Sequence, residues 1–296
     1  MSIRTVDLFC GVGGLSLGFK KAGFDIVGSF DSWERAISLY KRNFKHHADV
    51  MDLSEPDKVI PKIQELNPDM IIGGPPCQDF SHAGKRNEGG RANLTLCYAQ
   101  VVTSIAPKYF LMENVDRAQK SMAYQSARAL FKANGYGLTE VVLDASMCGV
   151  PQKRKRFFCI GVKDGEDFFF EGALRQAMSE KSMTVRDYLG NEIDFEHYYR
   201  HPRNYNRRAV FSIDEPAPTM RGVNRPVPPN YPGHHGDTFN AQEVRPLTTL
   251  ERARVRTFPA SFEWDGTKTD MEQMIGNAVP VNLAKFVGKA VQKMSA

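Results

Sequence analysis

The chain has little cysteine and tryptophan: five cysteines, at positions 10, 77, 97, 148 and 159, and two tryptophans in 296 residues. The cysteine count is odd and no Cys-x-x-Cys occurs, which argues against a disulfide framework and the usual thiolate metal spacings. The histidines offer no metal site either. His46-His47 and His234-His235 are adjacent pairs rather than i, i+4 pairs and read as surface polar residues. No apolar run approaches the ~18 residues of a membrane span, and no secretion leader is read at the start. These absences point to a reducing, cytoplasmic setting in which a free thiolate can act. Strong net charge is lacking too. The formal value of +5 permits a nucleic-acid partner without demonstrating one. With 42% hydrophobic and 25% charged residues, the composition is that of a globular protein with room for one large domain or two smaller ones.

What is present alternates. Residues 3–9 read as a strand, the glycine-rich stretch after them as a turn into a helix through Ala22, residues 24–30 as a second strand and 33–44 as a second helix. Strands are expected near Met70, Tyr109, Val141 and Phe158, and a helix over 121–134. This βαβα rhythm predicts a Rossmann-like α/β fold with a mostly parallel sheet and helices on both faces. The rhythm breaks between about 164 and 242, where prolines, arginines and aromatics crowd together, and regular helix returns at the end.

Chemistry gathers at the predicted strand ends. Met70-Ile71-Ile72 runs into Gly73-Gly74-Pro75-Pro76-Cys77-Gln78. Two prolines stiffen the backbone and aim the next side chain, a thiol, from the edge of the sheet, where an α/β enzyme would carry a nucleophile. Glu113-Asn114-Val115 places a carboxylate at another strand end. In Gln152-Lys153-Arg154-Lys155-Arg156 the extended spacing turns Gln152, Arg154 and Arg156 to one face and the lysines to the other. A thiol, a carboxylate and paired guanidiniums at three strand edges can surround one planar base. The turn Phe9-x-Gly11-x-Gly13-Gly14 before a helix, with Asp31 ending the next strand 20 residues after Gly11, fits the ribose and phosphates of a nucleotide. On these residues alone a dinucleotide fits as well as S-adenosylmethionine.

Taken in order, residues 7–15 (Asp-Leu-Phe-Cys-Gly-Val-Gly-Gly-Leu), Pro75-Pro76-Cys77-Gln78, Glu113-Asn114-Val115, Gln152-x-Arg154-x-Arg156, the block from Arg245 to Pro259, and Gly276-Asn277-Ala278-Val279-Pro280 resemble a DNA (cytosine-5)-methyltransferase of the bacterial restriction–modification type. Each motif alone is weak, but six in the family's order span nearly the whole chain. The resemblance implies S-adenosylmethionine as cofactor, held by Phe9, Gly11, Gly13, Gly14, Leu15, Asp31, Ser32, Asp49, Val50, Pro76, Leu94 and Asn277. Ser32 stands where an apolar or aromatic side chain often covers the adenine, and Trp33 beside it either takes that role or is core. No metal is implied. Cys77, Glu113, Arg154 and Arg156 are the implied catalytic set: the thiolate adds to C6 of cytosine, the carboxylate bonds the N3/N4 edge, and the guanidiniums hold fixed positive charge nearby.

The implied substrate is double-stranded DNA with its target base flipped out. Gln78, Ser81, Lys85, Arg86 and Arg91 lie in a polar, glycine-rich segment after the nucleophile, read as a lid on DNA. The segment from His197 to Arg208 interleaves aromatics with arginines, and lysine is missing from 197–225. Arg203, Arg207, Arg208, Thr219, Arg221 and Arg225 are the expected DNA contacts there, since arginine suits guanine edges and phosphates. The expected domains are 1–165 with 260–296 for catalysis, and 166–259 for target recognition with its supporting helix. Glu251, Arg252, Arg254 and Arg256 fit that support or a solvated helix face equally well. Asp144, Cys148, Leu250 and Val281 depart from the family's usual residues without removing a reacting group. A monomer is expected, and a cognate restriction endonuclease is a possible partner. Two other readings stand beside this one: a tRNA cytosine-5 methyltransferase, whose Cys-Phe-Thr tripeptide is absent, and a non-catalytic DNA-binding homologue.

Overall fold

The computed structural model describes residues 2–76 and 93–295, so Cys77, Gln78, Ser81, Lys85, Arg86 and Arg91 lie outside the described residues. The chain forms two compact units: residues 1–143, 155–178 and 284–296, and residues 144–154 and 179–283. The boundary differs from the expected one in giving 144–154 and 260–283 to the second unit and 166–178 to the first.

In the first unit the elements run β1 (Arg4–Leu8), α1 (Gly14–Ala22), β2 (Asp25–Asp31), α2 (Glu34–Asn43), β3 (His47–Val50), α3 (Pro56–Glu65), β4 (Met70–Gly73), α4 (Leu94–Ile105), β5 (Tyr109–Val115), α5 (Met122–Ala133), β6 (Tyr136–Asp144), β7 (Lys155–Lys163) and α6 (Glu171–Ala177). Among the described residues seven strands form one sheet in the order β3-β2-β1-β4-β5-β7-β6. β1 through β5 pair in parallel, while β7 runs antiparallel to β5. β4 and the first four residues of β5 are apolar and covered on both faces; Met70, Ile71, Ile72, Phe110, Leu111 and Met112 have no exposed surface. Order reverses about β1, which has β2 on one side and β4 on the other. Ligands of open α/β sheets bind at such a switch point, beyond the carboxyl ends of the strands.

A buried polar chain lies behind that edge. Ser16 donates to Asp7 at 2.5 Å, Ser29 and Tyr40 hydroxyls lie 2.7 Å apart, and Tyr40 meets His46 Nε2 at 2.8 Å. Burial pushes the Asp7 carboxyl up from 3.8 to about 7, with the Ser16 hydrogen bond opposing, and pulls the His46 imidazole down from 6.5 to about 4. From pH 4 to 7 folded Asp7 keeps a proton that the unfolded chain has released, so its contribution to stability is lost as pH rises. His46 acts oppositely: the unfolded chain takes up a proton that the folded imidazole refuses, so stability is lost as pH falls from 6.5 to 4. Asp7→Asn removes the first slope and keeps the second. The stability of the variant relative to its parent should therefore climb between pH 4 and 7, as urea unfolding at stepped pH would show; a flat difference defeats the assignment.

The second unit contains α7 (Val185–Leu189), the antiparallel pair β8 (His197–Tyr199) and β9 (Val210–Ser212), α8 (Thr249–Val255) and α9 (Lys268–Asn277). Its core includes Val185, Leu189, Tyr198, Phe211, Ile213, Met220, Leu247 and Val255. Where the sequence predicts a supporting helix over 247–258, α8 covers only Thr249–Val255, and the arginines there are not a solvated face: Arg252 and Arg256 are buried, and Arg254 pairs with Glu192 at 2.8 Å. α10 (Val281–Ser295) begins in this unit and continues into the first.

Candidate active site

The β1–α1 turn needs left-handed backbone at Phe9 (φ 61°), Gly11 (φ 53°) and Gly13 (φ 89°). The two glycines serve different needs. A Cβ on Gly13 would strike the Phe44 and Tyr40 rings at 2.5–2.7 Å, whereas one on Gly11 would meet nothing within 4 Å. Gly13 lets α1 pack, and Gly11 leaves open space at the sheet edge. Asp31 ends β2 and grips the turn: its carboxylate accepts from Gly11 N at 2.9 Å and from Trp33 N at 2.8 Å. Burial raises the Asp31 carboxyl, and those amides oppose the rise.

The other cofactor candidates fall unevenly. Val50, paired in register with Asp31 at the end of β3, is 44% exposed, an apolar side chain left open beside the carboxylate. Asp49 is exposed and lies 3.8 Å from Lys41. Ser32 is exposed and Trp33 half-buried ahead of α2. Leu15 is buried in α1. Pro76 is exposed, and Leu94 is half-buried at the start of α4, capped by the Asn93 side chain. Asn277 is exposed at the end of α9 in the second unit. An open glycine turn, a carboxylate with lone pairs to spare and an exposed valine suit a ribose and an adenine.

Across the switch point, register carries Leu8 to Gly73 and Gly73 to Met112. Glu113 therefore comes up beside Gly74, where a Cβ would stand 3.1 Å from Glu113 Oε2. The next residue, Asn114, donates its side-chain amide to Pro75 O at 3.0 Å and accepts from Val115 N at 2.8 Å. Asn114 thus ties the Pro-Pro turn to β5 two residues before Cys77, a role that its place in the motif does not reveal. Arg156 enters β7 opposite Val115, and its Nε lies 2.9 Å from Glu113 Oε1, both side chains being nearly buried. Burial pulls the Arg156 guanidinium below its ordinary range, and Glu113 opposes that pull. The predicted alternation holds: Gln152 and Arg154 are buried, Arg156 nearly so, and Lys153 and Lys155 exposed. Arg154 belongs to the second unit, where Asp144 accepts from its backbone N–H at 3.3 Å and from Ser146 N at 3.1 Å.

Among the described residues Cys10, Cys97, Cys148 and Cys159 are free and buried. Burial pushes the thiols of Cys148 and Cys159 up to about 12 and raises Cys10 and Cys97. Such thiols are poor nucleophiles at neutral pH.

In the second unit Arg200, Arg203, Arg207, Arg221 and Arg225 form a positive cluster. Burial and then neighbouring Arg221 pull Arg200 down to about 10. Arg221 is lowered by burial and then by Arg203, Arg225 and Arg207. Arg200 donates to Thr219 O at 2.7 Å and Arg221 to His201 O at 2.9 Å, bracing the two segments against each other. Arg208, one of the expected DNA contacts, is ion-paired with Glu215 and sits over the Phe211 ring at 4.3 Å. Thr219 donates its hydroxyl to Lys153 O at 2.7 Å. The sequence reading passed over Arg117, Lys120 and Lys155. These exposed cations line an open depression of about 460 Å³ in the first unit, with Asp116, Gln119 and Val142.

A nucleotide-type turn on one side of a switch point and a buried carboxylate–guanidinium pair on the other define an α/β enzyme that joins a nucleoside-bearing cofactor to a polar reaction centre. Residues 3–293 match the family described as C-5 cytosine-specific DNA methylase. The chain is 56% identical over 292 residues to the type II methyltransferase M.HindV of Haemophilus influenzae, covering 98% of this chain and 96% of that one. It is 52% identical over 291 residues to the type II methyltransferase M.HgiDI of Herpetosiphon aurantiacus, with 98% and 94% covered. The S. pombe Dnmt2 methyltransferase shares the fold, with TM-score 0.74 at 20% identity over 100% of both chains. The chain belongs to the C-5 cytosine-specific DNA methylase family and is an enzyme of DNA cytosine methylation.

Proposed function

We propose that the protein transfers a methyl group from S-adenosylmethionine to C5 of a cytosine flipped out of double-stranded DNA, through a covalent bond between Cys77 and C6, within one short recognition sequence. The observation that carries this reading is the buried Glu113–Arg156 pair beside the Asn114-tied Pro75 turn that leads into Cys77. S-adenosylmethionine, when bound, supplies an electrophilic methyl on a sulfonium. Gly11 and Asp31 hold its ribose side, Val50 and Asp49 its adenine, and Phe9, Gly13, Gly14, Pro76, Leu94 and Asn277 the remainder.

The protein's own groups make the base reactive. C5 of cytosine is a weak nucleophile, and thiolate addition at C6 converts the ring to an enamine that is nucleophilic at C5. Glu113 bonds the N3/N4 edge, and Arg156 holds that carboxylate in place. Arg154 brings fixed positive charge for the O2 side. After transfer, loss of the C5 proton expels the Cys77 thiolate and restores the aromatic ring.

The first compact unit carries Cys77, Glu113, Arg156 and most cofactor residues, and the second carries recognition together with Arg154 and Asn277. Arg203, Arg207, Arg208, Thr219, Arg221 and Arg225, joined by Arg200, contact DNA there, and Gln78, Ser81, Lys85, Arg86 and Arg91 are DNA contacts from the segment after the nucleophile. Arg117, Lys120 and Lys155 meet phosphates beside the site. Each phosphate contact adds about 0.9 to the slope of log K against log salt. Arg117→Ala with Lys120→Ala should flatten that slope by roughly 1–2 for cognate and unrelated duplexes alike, measured by anisotropy; an unchanged slope removes these residues from the interface. The protein acts as a monomer in the cytoplasm, as the modifying half of a restriction–modification pair.

Incubating the purified protein with S-adenosylmethionine and mixed genomic DNA, then mapping 5-methylcytosine by bisulfite sequencing, tests the whole reading. Methylation confined to one short motif is the expected result. Methylation of tRNA alone, or none at all, overturns it.

A further inference from the structure

The steps above leave unused a fully buried arginine in the second unit. Arg256 follows α8 and donates to three main-chain carbonyls: Nη1 to Ala278 O at 3.1 Å, and Nη2 to Gly276 O at 2.7 Å and Met220 O at 3.2 Å. Two segments far apart in sequence thus meet on one guanidinium. They touch directly as well, since a Cβ on Gly276 would lie 2.3 Å from Gly222 N. The grip is double. Arg256 O accepts from Val281 N at 3.1 Å, and Thr257, in left-handed backbone at φ 62°, uses its hydroxyl to accept from Asn282 N at 2.8 Å.

Both segments carry site residues. Asn277 stands between the two carbonyls held on the α9 side. On the other side Met220 follows Thr219, and that stretch is bonded to the turn before Arg154: Ala217 N donates to Pro151 O at 2.9 Å and Lys153 N to Ala217 O at 2.8 Å. An apolar side chain of similar size would leave three carbonyls without their donor, and an ammonium cannot reach two segments with a rigid planar fork.

We propose that Arg256 is a positioning residue that fixes the spacing between the Ala217–Arg221 stretch and Gly276–Ala278, and so sets Arg154 and Asn277 in register for methyl transfer. This rests on the roles given above to Arg154 and Asn277. Displacement of about 1 Å in such a frame costs on the order of 10²-fold in rate. Arg256→Met and Arg256→Lys separate positioning from binding. The expected result is a kcat lower by roughly 10–100-fold, with calorimetric Kd values for S-adenosylmethionine and for duplex DNA within about 3-fold of the parent. Amide exchange should quicken together in peptides covering 217–222 and 276–282. Unchanged kcat, weakened binding at intact kcat, or exchange altered in one segment only overturns the proposal. Should Arg256→Met fail to fold, Arg256→Lys decides by the same readouts. A parent enzyme that methylates no DNA would defeat the proposed function instead, whereas the exchange measurement reads the Arg256 grip independently of turnover.

Discussion

Cys77→Ala abolishes methyl transfer, a loss on the order of 10⁴–10⁶-fold, while cofactor and DNA affinities stay within a few-fold of the parent. Loss of the nucleophile removes the step that makes C5 reactive, and no other described thiol can replace it. Cys10, Cys97, Cys148 and Cys159 are buried with raised pKa values, each fixed in its own packing. Cys77→Ser fares no better, because a serine hydroxyl is far less acidic than a thiol and yields almost no alkoxide at neutral pH. Radiolabel transfer to duplex DNA measures turnover, and calorimetry measures binding. Residual turnover above about 1% of the parent would place the nucleophile elsewhere.

The Glu113–Arg156 pair should reveal two separable roles. Removing one partner of a buried pair leaves the other charge uncompensated and costs about 3–5 kcal/mol. Glu113→Gln strands the Arg156 guanidinium, which burial already pulls below its ordinary range. The variant should be less stable by that amount and slower by about 10²–10⁴-fold, the usual contribution of a positioned proton-handling group. Adding Arg156→Met removes the stranded charge. The double variant should then recover much of the lost stability and none of the lost rate. Chemical denaturation and single-turnover kinetics on the four proteins close the cycle. If stability losses simply add, the two side chains are not coupled; if rate returns with stability, Glu113 serves structure alone.

The legible parts of this protein are those whose signal is local. β1, α1, β2 and α2 lie within a residue or two of their expected limits, because apolar runs alternate with glycine and proline punctuation. Glu113 and Arg156 were legible as chemistry but not as partners: their 2.9 Å contact depends on β7 pairing antiparallel with β5, a long-range choice with no local marker. β3, His-Ala-Asp-Val, is short and mostly exposed, and α3 carries Pro61 inside it, so neither has a clean period. Arginine was the hardest type to place. Arg256 and Arg208 look like any charge on a polar stretch, yet one is fully buried on carbonyls and the other answers Glu215. Composition cannot distinguish a solvated guanidinium from a sequestered one, since the difference lies in which distant carbonyl or carboxylate arrives opposite it.

The placement of α10 has a consequence for biosynthesis. Its later turns belong to the first unit and press on α1, the helix that launches from the glycine turn: a Cβ on Gly288 would lie 2.9 Å from the Ala22 Cβ, and one on Gly23 would lie 2.5 Å from Gln292 Nε2. Val287, Ala290 and Val291 are buried. A nascent chain therefore holds every reacting group long before α1 acquires its cover. On the proposed mechanism, a chain that stops before residue 284 carries Cys77 and Glu113 but lacks the helix that packs on α1.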